Sequence, residues 1–302
     1  LSLLPSGLAR FSGSLVAAIT PMGRDGAIDL AAWARLVDFH AENGTSGLVV
    51  GGTTGESTAL ADAELDELTR LAVQRAGGRL VVIAGAGTSS TGATVARVAR
   101  LSQLGVDALL VVTPAYVRPT QEGLYRHFEA VATASRVPVI LYNVPSRTAV
   151  DLLPATVARL APLPRIVGIK EAVDSMARVR ELVEVAPAGF TVLSGDDATA
   201  RDAVALGARG VVSVSANVVP RQVADVMDAA LAGKAAQAAE LDARLAGLHR
   251  ALFIEPNPIP AKWIAMKMGL VPPGLRLPLT TLAPRHEAAL RHAMMAAVVA
   301  LD

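Results

Sequence analysis

Ile166-Val167-Gly168-Ile169-Lys170-Glu171-Ala172 is an apolar run that closes on two charges. A continuous Val/Ile run without strict alternation reads as a strand covered on both faces, as in parallel sheets. Seven further runs of similar character recur, at residues 14–20, 47–52, 80–85, 108–113, 138–144, 191–194 and 210–215. The segments between them have helical period and recognisable ends. Asp29 can cap a helix whose apolar stripe is Leu30, Trp33, Leu36, Val37 and His40, ending near Asn43-Gly44. Asp62 can cap the next, with Leu65, Leu68, Ala72 and Val73 inward and Gly77-Gly78 beyond. Eight βα units of roughly 20–35 residues predict an α/β chain folded as a (β/α)8 TIM barrel. A doubly wound open sheet is the alternative, but usually has fewer strands. The barrel is expected over residues 1–220. Residues 221–302, Ala-rich and helical in pattern, are expected to form a C-terminal extension.

Composition narrows the function. With 302 residues, 52% hydrophobic and 18% charged, the chain has ample material for a large core. A formal net charge of +1 gives no reason to expect nucleic acid or an anionic membrane as partner. There are no cysteines, which excludes disulfides, thiolate metal sites and cysteine nucleophiles. Residues 1–10 lack the basic start and long apolar stretch of a signal peptide. The longest charge-free stretch, 80–96, is broken by Gly, Ser and Thr, so no membrane span is expected. A soluble cytoplasmic protein is expected.

Lys170 is the residue that carries chemistry in the opening run. Only four of the 28 Lys and Arg residues are lysines, and one of them stands among β-branched neighbours. Burial disfavours an ammonium ion, which suits an amine to attack a carbonyl and form a Schiff base. The plain alternative is a lysine at a strand mouth, paired with Glu171 or snorkelling to water. From this run alone the two readings stand level.

In such barrels chemistry lies at the C-terminal strand ends. Those ends here are Gly51-Gly52-Thr53-Thr54-Gly55-Glu56-Ser57, Thr113-Pro114-Ala115-Tyr116, Tyr142-Asn143-Val144-Pro145-Ser146-Arg147-Thr148, Lys170, Gly195-Asp196-Asp197 and Ser215-Ala216-Asn217. Two of the three tyrosines fall on this face; Tyr125, in a helix, reads as packing. An imine on Lys170 needs proton delivery to a carbinolamine oxygen, for which Tyr142 is the candidate, with Thr53 and Tyr116 as a relay. The turn carrying Thr53 and Thr54 can aim N–H groups and hydroxyls at a small carboxylate, and Arg147 adds a bidentate clamp. This set suits condensation of a 2-oxo acid with a second carboxylated partner.

Other motifs carry less. Gly85-Ala86-Gly87 lacks the acidic ribose partner of a dinucleotide loop. Asp196-Asp197 reads as the cap of the following helix rather than a metal pair. The five histidines (His40, His127, His249, His286, His292) lie in helical segments without ligand spacing, so no metal and no cofactor are expected.

These strand-end segments, with Glu255-Pro256-Asn257-Pro258-Ile259-Pro260 and Leu275-Arg276-Leu277-Pro278, resemble the dihydrodipicolinate synthase family (4-hydroxy-tetrahydrodipicolinate synthases). That family belongs to the pyruvate-dependent class I aldolase superfamily, with N-acetylneuraminate lyase. The resemblance covers nearly the whole chain. It implies that Lys170 forms the pyruvate Schiff base, with Tyr142 as general acid/base and Thr53 and Tyr116 completing its relay. It further implies that Tyr116 reaches a neighbouring subunit's site, that Thr53 and Thr54 hold the pyruvate carboxylate, and that Arg147 holds that of L-aspartate-4-semialdehyde. Gly195 and the Val212 backbone would line the site. The implied product is 4-hydroxy-tetrahydrodipicolinate, in the opening step of diaminopimelate and lysine biosynthesis. The implied assembly is a homotetramer built as a dimer of dimers.

The family's lysine-feedback cleft is matched poorly. Ser57 is retained, but Asp62, Leu65, Ser89, Ala93 and Ala115 replace two His, Asn, Glu and Tyr, so little lysine feedback is expected. A different effector site built on Asp62 or Glu64 is the counter-reading. Two alternatives for the chain as a whole are an aldolase for another aldehyde, against which Arg147 argues, and a non-catalytic pyruvate-binding paralogue, which would not need the amine.

Overall fold

In a computed structural model that describes residues 10–298, eight parallel strands close into one barrel in strict sequence order. They are β1 (Gly13–Ala17), β2 (Gly47–Val50), β3 (Val81–Gly85), β4 (Ala108–Val112), β5 (Val139–Asn143), β6 (Ile166–Glu171), β7 (Thr191–Ser194) and β8 (Gly210–Ser213). The reading of residues 1–10 as free of a targeting signal lies, but for Arg10, outside the described residues. The helices are α1 (Leu30–Glu42), α2 (Asp62–Ala76), α3 (Thr91–Leu101), α4 (Gln121–Ala134), α5 (Pro145–Thr148), α6 (Pro154–Leu160), α7 (Met176–Val185), α8 (Ala200–Ala205), α9 (Pro220–Leu231), α10 (Ala235–Ala251), α11 (Ile259–Lys267) and α12 (Glu287–Val298). The TIM barrel expected from the eight apolar runs is the observed fold.

The continuous apolar runs are explained by two cores separated by the strands. Alternate residues point inward, where Leu15, Val49, Ile83, Leu110, Ile140, Leu193 and Val212 fill the barrel. Their strand neighbours Val16, Leu48, Leu141 and Ile169 point outward into the helix layer with Trp33, Leu68 and Phe128. Each fully buried Leu or Ile contributes about 1.5–3 kcal/mol, so both faces of every strand are anchored. Closure rests on β1 pairing with β8, Leu15 opposite Val212. Gly13 and Gly210, both at positive φ, make that seam possible; a Cβ on Gly210 would run into the Gly13 backbone oxygen.

Helix ends followed expectation at one site and departed at another. Asp29 caps α1, accepting from the Ala32 N–H at 2.8 Å. The cap of α2 is Ala61 rather than Asp62, and the Glu64 carboxylate reaches back to the Ala61 N–H at 2.8 Å. Asp62 instead meets two guanidinium groups of α3, Arg97 at 2.8 Å and Arg100 at 2.6 Å. A carboxylate offered two charged donors gains more there than from one orphan N–H.

Beyond the barrel strands, α9 packs on β1 and β8, α10 packs on α9 and α12, and α11 also meets α12. The pattern after Arg221 is not helical throughout. Residues 268–283 are irregular, because Pro272, Pro273 and Pro278 lack the N–H a helix needs. This segment folds back over the barrel mouth, where the Gly274 N–H donates to Met22 O and the Arg276 N–H to Glu56 Oε2. Peptide bonds Asn257-Pro258 and Leu277-Pro278 are cis. Among the described residues, no helix is long and apolar enough to cross a membrane.

Candidate active site

Strands β5 and β6 pair in register, which sets Tyr142 directly across from Lys170. Both side chains occupy the inward positions of their strands, near the C-terminal end of the barrel. The Lys170 amine lies 4.4 Å from the centre of the Tyr142 ring. Lys170 is 6% exposed and Tyr142 is as deeply buried, so the amine does not snorkel. Nor does it pair with Glu171, which period-two alternation turns to the opposite face. There the Glu171 carboxylate accepts from Asn143 Nδ2 at 3.1 Å on both oxygens and from the Val173 N–H at 3.0 Å. Lys170 is therefore a buried amine set against an aromatic face, with a phenol one strand away.

The neighbours leave that amine room. A Cβ on Gly195 would stand 3.0 Å from Lys170 Cε and 2.7 Å from Ala172 Cβ, so glycine there is a packing requirement. Val212 lies in the same barrel interior, on β8. Thr54 is buried and its hydroxyl oxygen accepts from Asn257 Nδ2 at 2.9 Å. An Oγ that accepts this bond keeps its own hydrogen free to donate elsewhere. Thr53 and Arg147 line a cavity of about 330 Å³ together with Ser57, Ser89, Ala115 and Asn257, and neither Lys170 nor Tyr142 is part of its wall. A volume of that size suits a small organic acid.

The structure thus brings Lys170, Tyr142, Gly195 and Val212 together, and sets Thr53 and Arg147 on one cavity. Tyr116 is not brought to them. It is 91% exposed, on the rim after β4 with φ +75°, its N–H donating to Thr148 O at 3.3 Å. One chain alone therefore does not assemble the relay of Tyr142, Thr53 and Tyr116. Tyr125 packs as expected, its ring 4.2 Å from the Arg159 guanidinium carbon.

The expected capping role of Asp196-Asp197 is corrected. Helix α8 begins after Thr199, without a side-chain cap. Asp197 is buried and takes the Ser213 hydroxyl at 2.5 Å and the Val214 and Ser215 N–H groups at 2.8 and 3.0 Å. It ties the ends of β7 and β8, where two buried N–H groups would otherwise go unpaired. Asp196 accepts from the Thr199 hydroxyl at 2.7 Å.

Sequence reasoning missed two ionic groups behind the site. Lys262, on α11, is 3% exposed and donates to Glu56 Oε1 at 2.6 Å, across 206 positions of sequence. Burial lowers the Lys262 pKa and the Glu56 carboxylate opposes that shift. Lys262 stands in Ile259-Pro260-Ala261-Lys262-Trp263-Ile264-Ala265, the same lysine-in-apolar-run signal that singled out Lys170. The second group lies behind β6, where Arg178 holds Asp151 at 2.7 and 2.8 Å and approaches Glu171 at 3.4 Å. Burial raises the Glu171 pKa to about 7, against the opposing pull of Asn143 and Arg178. Among the described residues, no three His, Asp or Glu side chains gather as a metal ion would require.

Comparison with known proteins points to one family. A family model described as the dihydrodipicolinate synthetase family matches residues 10–297. A 4-hydroxy-tetrahydrodipicolinate synthase of Methylococcus capsulatus is 52% identical over 95% of this chain and 99% of its own length. Among solved structures, a chloride-inhibited dihydrodipicolinate synthase of Acinetobacter baumannii, complexed with pyruvate, aligns with TM-score 0.93 and 44% identity over 95% of this chain and 98% of its own. That of Cyanidioschyzon merolae, with lysine bound, aligns with TM-score 0.92 and 35% identity over 95% and 98%.

Proposed function

The chain belongs to the dihydrodipicolinate synthetase family, and we propose that it is a lyase joining pyruvate to L-aspartate-4-semialdehyde through a Schiff base on Lys170. The observation that carries this reading is the β5–β6 rung, where a buried amine with no carboxylate partner among the described residues faces the Tyr142 ring. The neutral Lys170 amine attacks C2 of pyruvate, and Tyr142 protonates the carbinolamine oxygen, which leaves as water. Loss of a C3 proton gives the enamine, whose C3 attacks the aldehyde carbon. The amino group of the second substrate then displaces Lys170 by transimination, closing the ring of 4-hydroxy-tetrahydrodipicolinate and restoring the free amine. Thr53 and Thr54 hold the pyruvate carboxylate, Arg147 holds that of the semialdehyde, and Gly195 with the Val212 backbone lines the floor.

The exposed Tyr116 supports an assembly in which a second copy completes the relay, within a homotetramer made as a dimer of dimers. Supply of diaminopimelate and lysine in the cytoplasm is the setting that fits this product. Weak lysine feedback is part of the proposal. Ala93 and Ala115 offer no group to hold an ε-ammonium, Asp62 is held by Arg97 and Arg100, and Glu64 is held by Arg276. Lysine titrated to about 1 mM is expected to leave the rate within about 20% of its starting value, an energetic change well below RT. Strong partial inhibition would refute that part.

The activity itself is tested by an aldehyde screen with pyruvate. Turnover with aspartate semialdehyde, weakened about 100-fold in kcat/KM by Arg147→Ala through loss of a bidentate clamp, supports the proposal. Preference for a sugar-derived aldehyde would assign the chain to the sugar-acid aldolases instead.

A further inference from the structure

The rung that carries Lys170 and Tyr142 has a second face. One residue on, Asn143 pairs in register with Glu171, and both side chains point outward. Asn143 Nδ2 bridges both Glu171 oxygens at 3.1 Å and Asp151 Oδ1 at 2.7 Å, and Asn143 Oδ1 accepts from the Leu152 N–H at 2.9 Å. The main chain on either side is stitched as tightly. The Ala172 N–H donates to Asn143 O at 3.0 Å, and the Gly195 N–H donates to Glu171 O at 2.6 Å. Two of the donors to the Glu171 side chain, Asn143 and Val173, thus stand within one residue of the reacting pair or on the turn that follows β6, and the third is Arg178 of α7.

We propose that Glu171 is a positioning residue for the reaction, its carboxylate holding Asn143 and thereby fixing how Lys170 and Tyr142 face one another. The proposal rests on the assignment of Lys170 as the Schiff-base lysine. As a carboxylate, Glu171 offers only acceptors to the three donors around it, Asn143 Nδ2, the Val173 N–H and the Arg178 guanidinium. Once protonated, one of its oxygens becomes a donor facing donors, and that side of the rung loses its anchor. The charged groups that bear on it are Arg178 of α7, which favours the carboxylate, and Asp151 of the segment after α5, which disfavours it. Lys170 lies on the other face of β6. With burial holding its pKa at about 7, the anchor is made above neutrality and lost below it.

The test compares kcat of wild type and Glu171→Gln across pH. The amide keeps the shape but supplies one acceptor instead of two, whatever the pH. At about pH 8.5 the variant is expected to be about tenfold slower, a partial loss of alignment by the measure of 100-fold per ångström. At about pH 6, where wild-type Glu171 is itself protonated, the ratio is expected to shrink to about two. Pyruvate KM should stay within about twofold, since uniform binding is not what the residue supplies. A role confined to stability would lower the melting temperature and leave the kcat ratio flat with pH; a flat ratio overturns the proposal. Should Glu171→Gln fail to fold, Asp151→Asn removes the charge that raises Glu171 and is expected to move the acid limb to lower pH, and an unmoved limb overturns the proposal equally. Borohydride trapping of pyruvate on wild-type Lys170 runs alongside. Its absence would overturn the Schiff-base reading itself, whereas trapping with a flat ratio overturns only the role of Glu171.

Discussion

Lys170 and Lys262 look alike in the sequence and differ in everything that matters to chemistry. Each stands in a short apolar run, and each ends up more than nine-tenths buried. Lys262 sits 2.6 Å from the Glu56 carboxylate. Lys170 faces an aromatic ring, its adjacent carboxylate turned to the other side of the strand. A paired buried lysine is a strut, here tying α11 to the Thr53–Glu56 turn; a buried lysine left without a carboxylate is available to react. What separates the two is not burial but which partner the fold brings within reach, and for Lys262 that partner is 206 positions away.

Replacing each lysine should break the likeness in opposite directions. Lys170→Ala is expected to lose at least about 10⁴-fold in kcat, since no other group forms the imine. Its stability should hold or rise, because no ion pair is lost. An active Lys170→Ala enzyme would collapse the distinction. Lys262→Met is expected to do the reverse, costing about 3–5 kcal/mol of stability by leaving Glu56 buried without its counter-charge. Chemical denaturation would measure this, and the double variant with Glu56→Leu should recover most of it. A Lys262→Met protein as stable as wild type would show that the strut carries nothing.

A smaller effect separates the buried groups by pH. The folded state raises the Glu171 pKa to about 7 and lowers those of His40 to about 3 and His127 to about 4, each by burial. Glu171 holds its proton more tightly when folded, so its contribution is present at acid pH and lost as pH rises from about 4.5 through 7. The histidines are neutral when folded, so theirs is present above about 6.5 and lost as pH falls toward 4. Unfolding free energies taken from pH 5 to 8 should therefore rise by about 1–2 kcal/mol up to about pH 7 and level off there, where the loss at Glu171 offsets the gain at the histidines. In Glu171→Gln the climb should steepen and continue past pH 7. A wild-type curve that climbs steadily to pH 8 would contradict the assignment for Glu171.

The barrel was legible because its evidence is local. Each of the eight apolar runs became a strand, with ends within three residues of the expected ones. The floor of the site was legible for the same reason, since Tyr142, Lys170 and Gly195 stand at strand ends and period-two alternation aims them. What escaped was held by distant partners. Asp62 left its capping place for Arg97 and Arg100, and Asp197 was taken by the end of β8. Asn257 and Arg276 reach the cavity only because prolines keep their segments irregular and return them across the mouth. Tyr116 was expected to serve a neighbouring subunit, and in a single chain it stands on the rim.

The most direct measurement is borohydride reduction in the presence of pyruvate, followed by peptide mass mapping. One reduced-pyruvate adduct is expected, on Lys170 and not on Lys262, lost in Lys170→Ala and retained in Lys262→Met. Folded wild-type protein with no adduct, or with the adduct on another lysine, would contradict the claim that the unpaired amine on β6 is the nucleophile.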